Sequence, residues 1–84
     1  VVNPILNDLI SIYPNPVKDV VNITIKDNST IKTIELYDIQ GRLLQTQLVN
    51  DITSQINLTE RANGMYFIKI NTDLGSKVEK LIKE

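Results

Sequence analysis

The 84-residue sequence contains no cysteine, no histidine and no tryptophan. Without thiols there is no disulfide and no thiolate nucleophile, so packing alone must hold the fold. Without imidazole the commonest general base is missing, and the two absences together remove the usual zinc ligands. Ser11, Ser29, Ser54 and Ser76 have no imidazole to activate them, and none sits in a G-x-S-x-G turn. Paired carboxylates remain chemically available, but a small scaffold of strands leaves little room for a substrate cleft. The reading is therefore of a non-enzyme with no cofactor and no metal. Charge is also lacking in excess of either sign: nine basic residues stand against ten acidic ones, with no long basic run. Nucleic acid would find little to hold. No apolar run is long enough to span a bilayer and no signal peptide is present, so no membrane insertion is expected. The chain opens on Val1, and its single methionine is Met65, which suggests a piece of a longer protein.

What is present is alternation. Residues 1–8, "VVNPILND", show no clear period and read as a linker or irregular lead-in, leaving 9–84 as one domain. From there short runs repeat with period two: "LISIY" (9–13), "VVNITIK" (20–26), "IKTIELYD" (31–38), "RLLQTQLV" (42–49), "ITSQINL" (52–58), "MYFIKINT" (65–72) and "SKVEKLIK" (76–83). Val, Ile and Thr dominate them, and β-branched residues suit a pleated, half-buried surface. The only helical candidate is a single turn in "LTERAN". About seven strands of this kind predict an all-β antiparallel sandwich. The expected core is Val21, Ile23, Ile25, Ile34, Leu36, Ile56, Leu58, Tyr66, Ile68 and Ile70. In "RLLQTQLV" the alternation sets Leu44, Thr46 and Leu48 against Leu43, Gln45, Gln47 and Val49.

The punctuation is specific. In "YPNP" (13–16), Pro14 and Pro16 each lack an N–H at alternate positions, so an extended chain there cannot pair fully. "DIQGR" (38–42) offers Asp38 as a turn acceptor and Gly41 where a positive φ is needed, which suits a hairpin with a bulge. "TDLGS" (72–76) repeats the scheme with Gly75. In "LTERANGMYFIKI" (58–70) a short turn followed by Gly-x-Tyr resembles the tyrosine corner of immunoglobulin-like sandwiches, with the Tyr66 hydroxyl bonding back to the corner. A plain strand-opening aromatic is the alternative.

Taken in order, "YPNP", "IKTIELYDIQGRLL" (31–44), "LTERANGMYFIKI" and the lysine-bearing "KVEKLIKE" (77–84) resemble the type A C-terminal sorting domain of the type IX (Por) secretion system of Bacteroidetes. The likeness runs over about residues 9–84. It implies an immunoglobulin-like sandwich appended to a secreted cargo protein, which reaches the periplasm by a separate signal. It further implies recognition by the outer-membrane translocon, removal by a sortase-like cysteine peptidase, and a cargo that ends at the cell surface or outside the cell.

That resemblance makes Pro14, Asn15, Pro16, Asp38, Gly41, Arg42, Gly64, Tyr66, Lys77, Lys80 and Lys83 the candidate recognition residues. Plainer roles compete for most of them. The prolines are preferred as a device that stops pairing and blunts an edge. Asp38 is preferred as a turn acceptor beside a surface Arg42, and Gly41 and Gly64 as backbone necessities. Lys77, Lys80 and Lys83 are either solvated gatekeepers of an edge strand or a basic strip at the terminus, and the strip is preferred. A carbohydrate-binding or adhesive module is the rival reading, kept open by Tyr37 and Phe67 if both face outward.

Overall fold

A computed structural model describes residues 9–26 and 28–84; the lead-in expected over residues 1–8 lies outside them. Seven strands follow in chain order: β1 (Ile10–Tyr13), β2 (Val20–Ile25), β3 (Ile31–Asp38), β4 (Leu43–Asp51), β5 (Thr53–Asn57), β6 (Gly64–Thr72) and β7 (Gly75–Lys83). They form a three-stranded sheet ordered β1-β2-β5 and a four-stranded sheet ordered β4-β3-β6-β7. Every neighbouring pair is antiparallel. Each sheet turns its β-branched face inward, and the two faces make the core of an all-β sandwich.

The core contains all ten residues expected in it, with Val21, Ile23, Leu36, Leu58, Ile68 and Ile70 fully excluded from solvent. Ile10, Val17, Ile31 and Leu81 join them. Ile31 escaped the alternation because the β3 register shifts between Ile31 and Thr33, which changes its parity relative to Ile34 and Leu36. The single turn at "LTERAN" closes through Arg61 N–H donating to Leu58 C=O at 2.9 Å.

Two expectations are corrected. In β4 a register shift opposite Leu36 and Tyr37 breaks the alternation at its start. Leu44, expected on the face opposite Val49, packs against the core together with it, while Leu43 is exposed. In β7, Lys77, Lys80 and Lys83 do not make one basic strip. A strand sends alternate side chains to opposite faces, so Lys77 and Lys83 share the buried face with Leu81 while Lys80 stands exposed on the other.

Candidate functional site

β1 ends at Tyr13 because Pro14 and Pro16 supply no donor to extend its ladder with β2. The peptide bonds preceding both prolines are cis. The chain then crosses from the three-stranded sheet to the free edge of β7 in the other sheet. There Asn15 takes the place of a backbone strand. Its Nδ2 donates to Lys80 C=O at 2.9 Å, and its Oδ1 accepts from Ile82 N–H at 3.1 Å. Val17 completes the crossing: its N–H donates to Ile82 C=O at 2.7 Å and its C=O accepts from Glu84 N–H at 2.8 Å. The Val17 side chain is fully buried. The segment therefore staples the two sheets together and covers the C-terminal half of the β7 edge. The prolines were legible as a stop to pairing; the amide of Asn15 and the plug of Val17 were not.

The β3–β4 turn is built around Asp38. Gly41 N–H donates to Asp38 C=O and Asp38 N–H to Arg42 C=O, both at 3.0 Å, with Gly41 at φ +83°. This is the expected hairpin with a glycine bulge. The Asp38 carboxylate accepts from Gln40 N–H and Arg42 N–H at 2.9 Å each, and from Arg42 Nε at 2.7 Å. Those donors hold its pKa below the usual carboxylate value, the Arg42 amide contributing most and partial desolvation opposing. Arg42 remains 73% exposed, so the rest of its guanidinium is presented to solvent. The β6–β7 turn likewise has Gly75 at φ +131°, with Thr72 Oγ1 accepting from Leu74 N–H at 3.0 Å.

Tyr66 makes the corner bond. Its hydroxyl donates to Ala62 C=O at 2.6 Å while the ring is buried. Gly64, at φ +150°, opens the strand leading into it. Lys83 Nζ donates to Asn63 Oδ1 at 3.2 Å, tying the end of β7 to the same corner. Lys77 lies elsewhere: opposite Ile70, it stands four positions before Leu81, about 13 Å along the strand at the usual rise. Its Nζ lies 3.7 Å from Glu79 Oε1.

The register brings the remaining motif residues into one neighbourhood. Asp38 pairs with Tyr66 across β3 and β6, and Tyr66 pairs with Leu81 across β6 and β7. Asn15 and Val17 border β7 beside that row. Pro14–Pro16, Asp38, Gly41, Arg42, Gly64, Tyr66, Lys80 and Lys83 thus gather at one end of the four-stranded sheet, and of the candidates only Lys77 is left out. On the outer face of this end Tyr37 pairs with Leu43 on one side and with Phe67 on the other. Lys80 faces Phe67 from β7. Both aromatics face outward as the rival reading required, yet each is partly buried. The shallow hollow lined by Gln45, Asn57, Thr59, Glu60 and Arg61 contains none of the candidate recognition residues.

Comparison with known proteins places the whole chain rather than this end of the sheet. Residues 11–84 match the family described as the secretion system C-terminal sorting domain. No curated protein matches the sequence. Among solved structures the chain resembles PorZ of Porphyromonas gingivalis, described as an essential bacterial surface component of the type-IX secretion system. The TM-score is 0.65 at 21% identity, over 96% of this chain and 12% of that one. At that identity the likeness supports the fold, and this chain spans only a small part of PorZ. The family match extends over nearly all of the chain described above, from the strand before "YPNP" to the last residue of β7 and beyond it to Glu84. The chain belongs to the C-terminal sorting domain family of the type IX secretion system, whose members serve as secretion signals and are not in themselves catalysts.

Proposed function

We propose that residues 9–84 form a folded address label, and that the motif-bearing end of the four-stranded sheet is the surface the export machinery reads. One observation carries this reading: motif residues spread from Pro14 to Lys83 in sequence converge at that end through the Asp38–Tyr66–Leu81 row. In this reading residues 1–8 link the label to an upstream cargo domain. The cargo passes through the periplasm, the outer-membrane translocon recognises the folded domain, and a sortase-like cysteine peptidase removes it. The cargo is then anchored at the surface or released. Most motif residues hold the end in shape: Asn15 and Tyr66 through side-chain bonds to the backbone, Gly41 and Gly64 through their positive φ. The charged candidates left for a partner to touch are Arg42 and Lys80, whose side chains are exposed beside the exposed Pro14 and Pro16.

The test fuses residues 1–84 behind a reporter carrying a periplasmic signal, in a host with a type IX apparatus. The expected result is reporter at the cell surface or in the medium, and reporter retained in the periplasm when the domain is omitted. Retention of the intact fusion in a competent host would refute the reading.

A further inference from the structure

The edge of β7 is covered over only half its length. Asn15 and Val17 bond Lys80 C=O, both backbone groups of Ile82, and Glu84 N–H. Those bonds show that the even-numbered residues turn their backbone away from β6. By the alternation of an antiparallel ladder, Ser76 and Val78 do the same. Among the described residues, no group bonds the N–H and C=O of Ser76 and Val78, or the N–H of Lys80, from that side. Val78, 51% exposed, sits at the centre of this open row.

We propose that the open half-edge pairs with the same half-edge of a second copy, antiparallel about a two-fold axis through Val78. In that register the N–H and C=O of Val78 bond those of the symmetry-related Val78. Lys80 N–H of each copy bonds Ser76 C=O of the other, while Lys80 C=O stays with Asn15. The strand meets its own sequence reversed, which is the isologous arrangement of a two-fold interface.

Charge selects both the occupant and the register. On the inner face of β7, Lys77 and Glu79 flank Val78 and form only a loose pair at 3.7 Å. A strand that fits here must present an acid opposite Lys77 and a base opposite Glu79. The same segment read antiparallel about Val78 does so twice. Sliding the register by one pair in either direction sets Lys77 against Lys77 or Glu79 against Glu79, and like charges directly opposite are destabilising. The inward charges that repel an arbitrary apolar strand therefore admit this one. The interface is short, so the association is weak and belongs at high local concentration. It does not rest on the proposed reading of the motif-bearing end, with which it shares only Lys80.

The chain has no cysteine of its own, so single cysteines report the register. A hydrogen-bonded antiparallel pair holds its Cα atoms about 5.5 Å apart, within the range a disulfide spans. Under mild oxidation at millimolar protein, Val78→Cys should give covalent dimers. Ser76→Cys alone and Lys80→Cys alone should not, while an equal mixture of those two should. A Leu48→Cys control, exposed on β4, sets the background from random collision. In sedimentation, Lys77→Glu should raise the dimerisation midpoint roughly tenfold, equivalent to about 1.4 kcal/mol. The exchange Lys77→Glu with Glu79→Lys should restore it. Val78→Cys crosslinking no faster than the control, or Ser76→Cys crosslinking to itself, would overturn the proposal.

Discussion

Asn15 commits its side-chain amide to the backbone of Lys80 and Ile82, and Asp38 commits its carboxylate to the amides of Gln40 and Arg42. Each replaces a backbone partner that the chain cannot supply at that point. Asn15→Ala should therefore lose about 1–2 kcal/mol of stability, because it removes two solvent-exposed hydrogen bonds, each worth about 0.5–1.5 kcal/mol net. A urea titration measures this, and an unchanged midpoint would show the staple to be incidental. Tyr66→Phe removes only the bond to Ala62 and should cost about 1 kcal/mol by the same measurement. Asp38 sets a pH dependence. Its folded pKa is depressed below the unfolded value, so its contribution is present above the unfolded pKa. That contribution is lost as pH falls through the folded pKa. Asp38→Asn should flatten this part of the acid limb of the stability profile. An acid limb of the same shape in both proteins would contradict the assignment. At this scale the sequence showed which residues punctuate the chain, but not what Asn15 touches, because its partners lie 65 and 67 positions away.

Among the elements, strands whose two faces differ sharply were readable. β2 and β6 alternate cleanly, and their inward hydrophobic residues were all placed correctly, though buried Thr72 at the end of β6 was not foreseen. β4 and β7 were misread for two different reasons. The shift at the start of β4 swaps the faces of Leu43 and Leu44, and a bulge leaves no mark in a run of aliphatic and amide side chains. In β7 the buried face carries Lys77 and Lys83 beside Leu81. Long lysine stems cover apolar surface while keeping the ammonium near solvent or a polar partner, so charge was a poor guide to orientation. The Asp38–Gly41 turn was legible because its chemistry is local. A Cβ added at Gly41 would meet nothing within 4 Å, so the cost of Gly41→Ala is backbone strain alone, about 1 kcal/mol. Ile68→Ala, in the centre of β6 and fully buried, should cost about 2–5 kcal/mol. That is a large share of what a domain of this size has available. A melting temperature unmoved by Ile68→Ala would contradict the core described here.

Across the whole molecule, the sequence shows the order of the motifs and hides their meeting. Nothing in "DIQGR" or "GMY" indicates that Asp38 and Tyr66 stand opposite one another, or that Asn15 borders the same row. Only the strand order β4-β3-β6-β7 and its register bring them together. The central claim is that the export information lies at this end of the folded domain. Its most direct test compares two equal changes of charge in the reporter fusion, with folding verified for each. Arg42→Gln with Lys80→Gln alters exposed cations at the motif-bearing end. Lys26→Gln with Lys32→Gln alters exposed cations near the opposite end. Surface labelling of the reporter should fall about tenfold or more for the first pair, with the protein accumulating in the periplasm, and stay at the parent level for the second. Equal surface labelling of both pairs would contradict the claim.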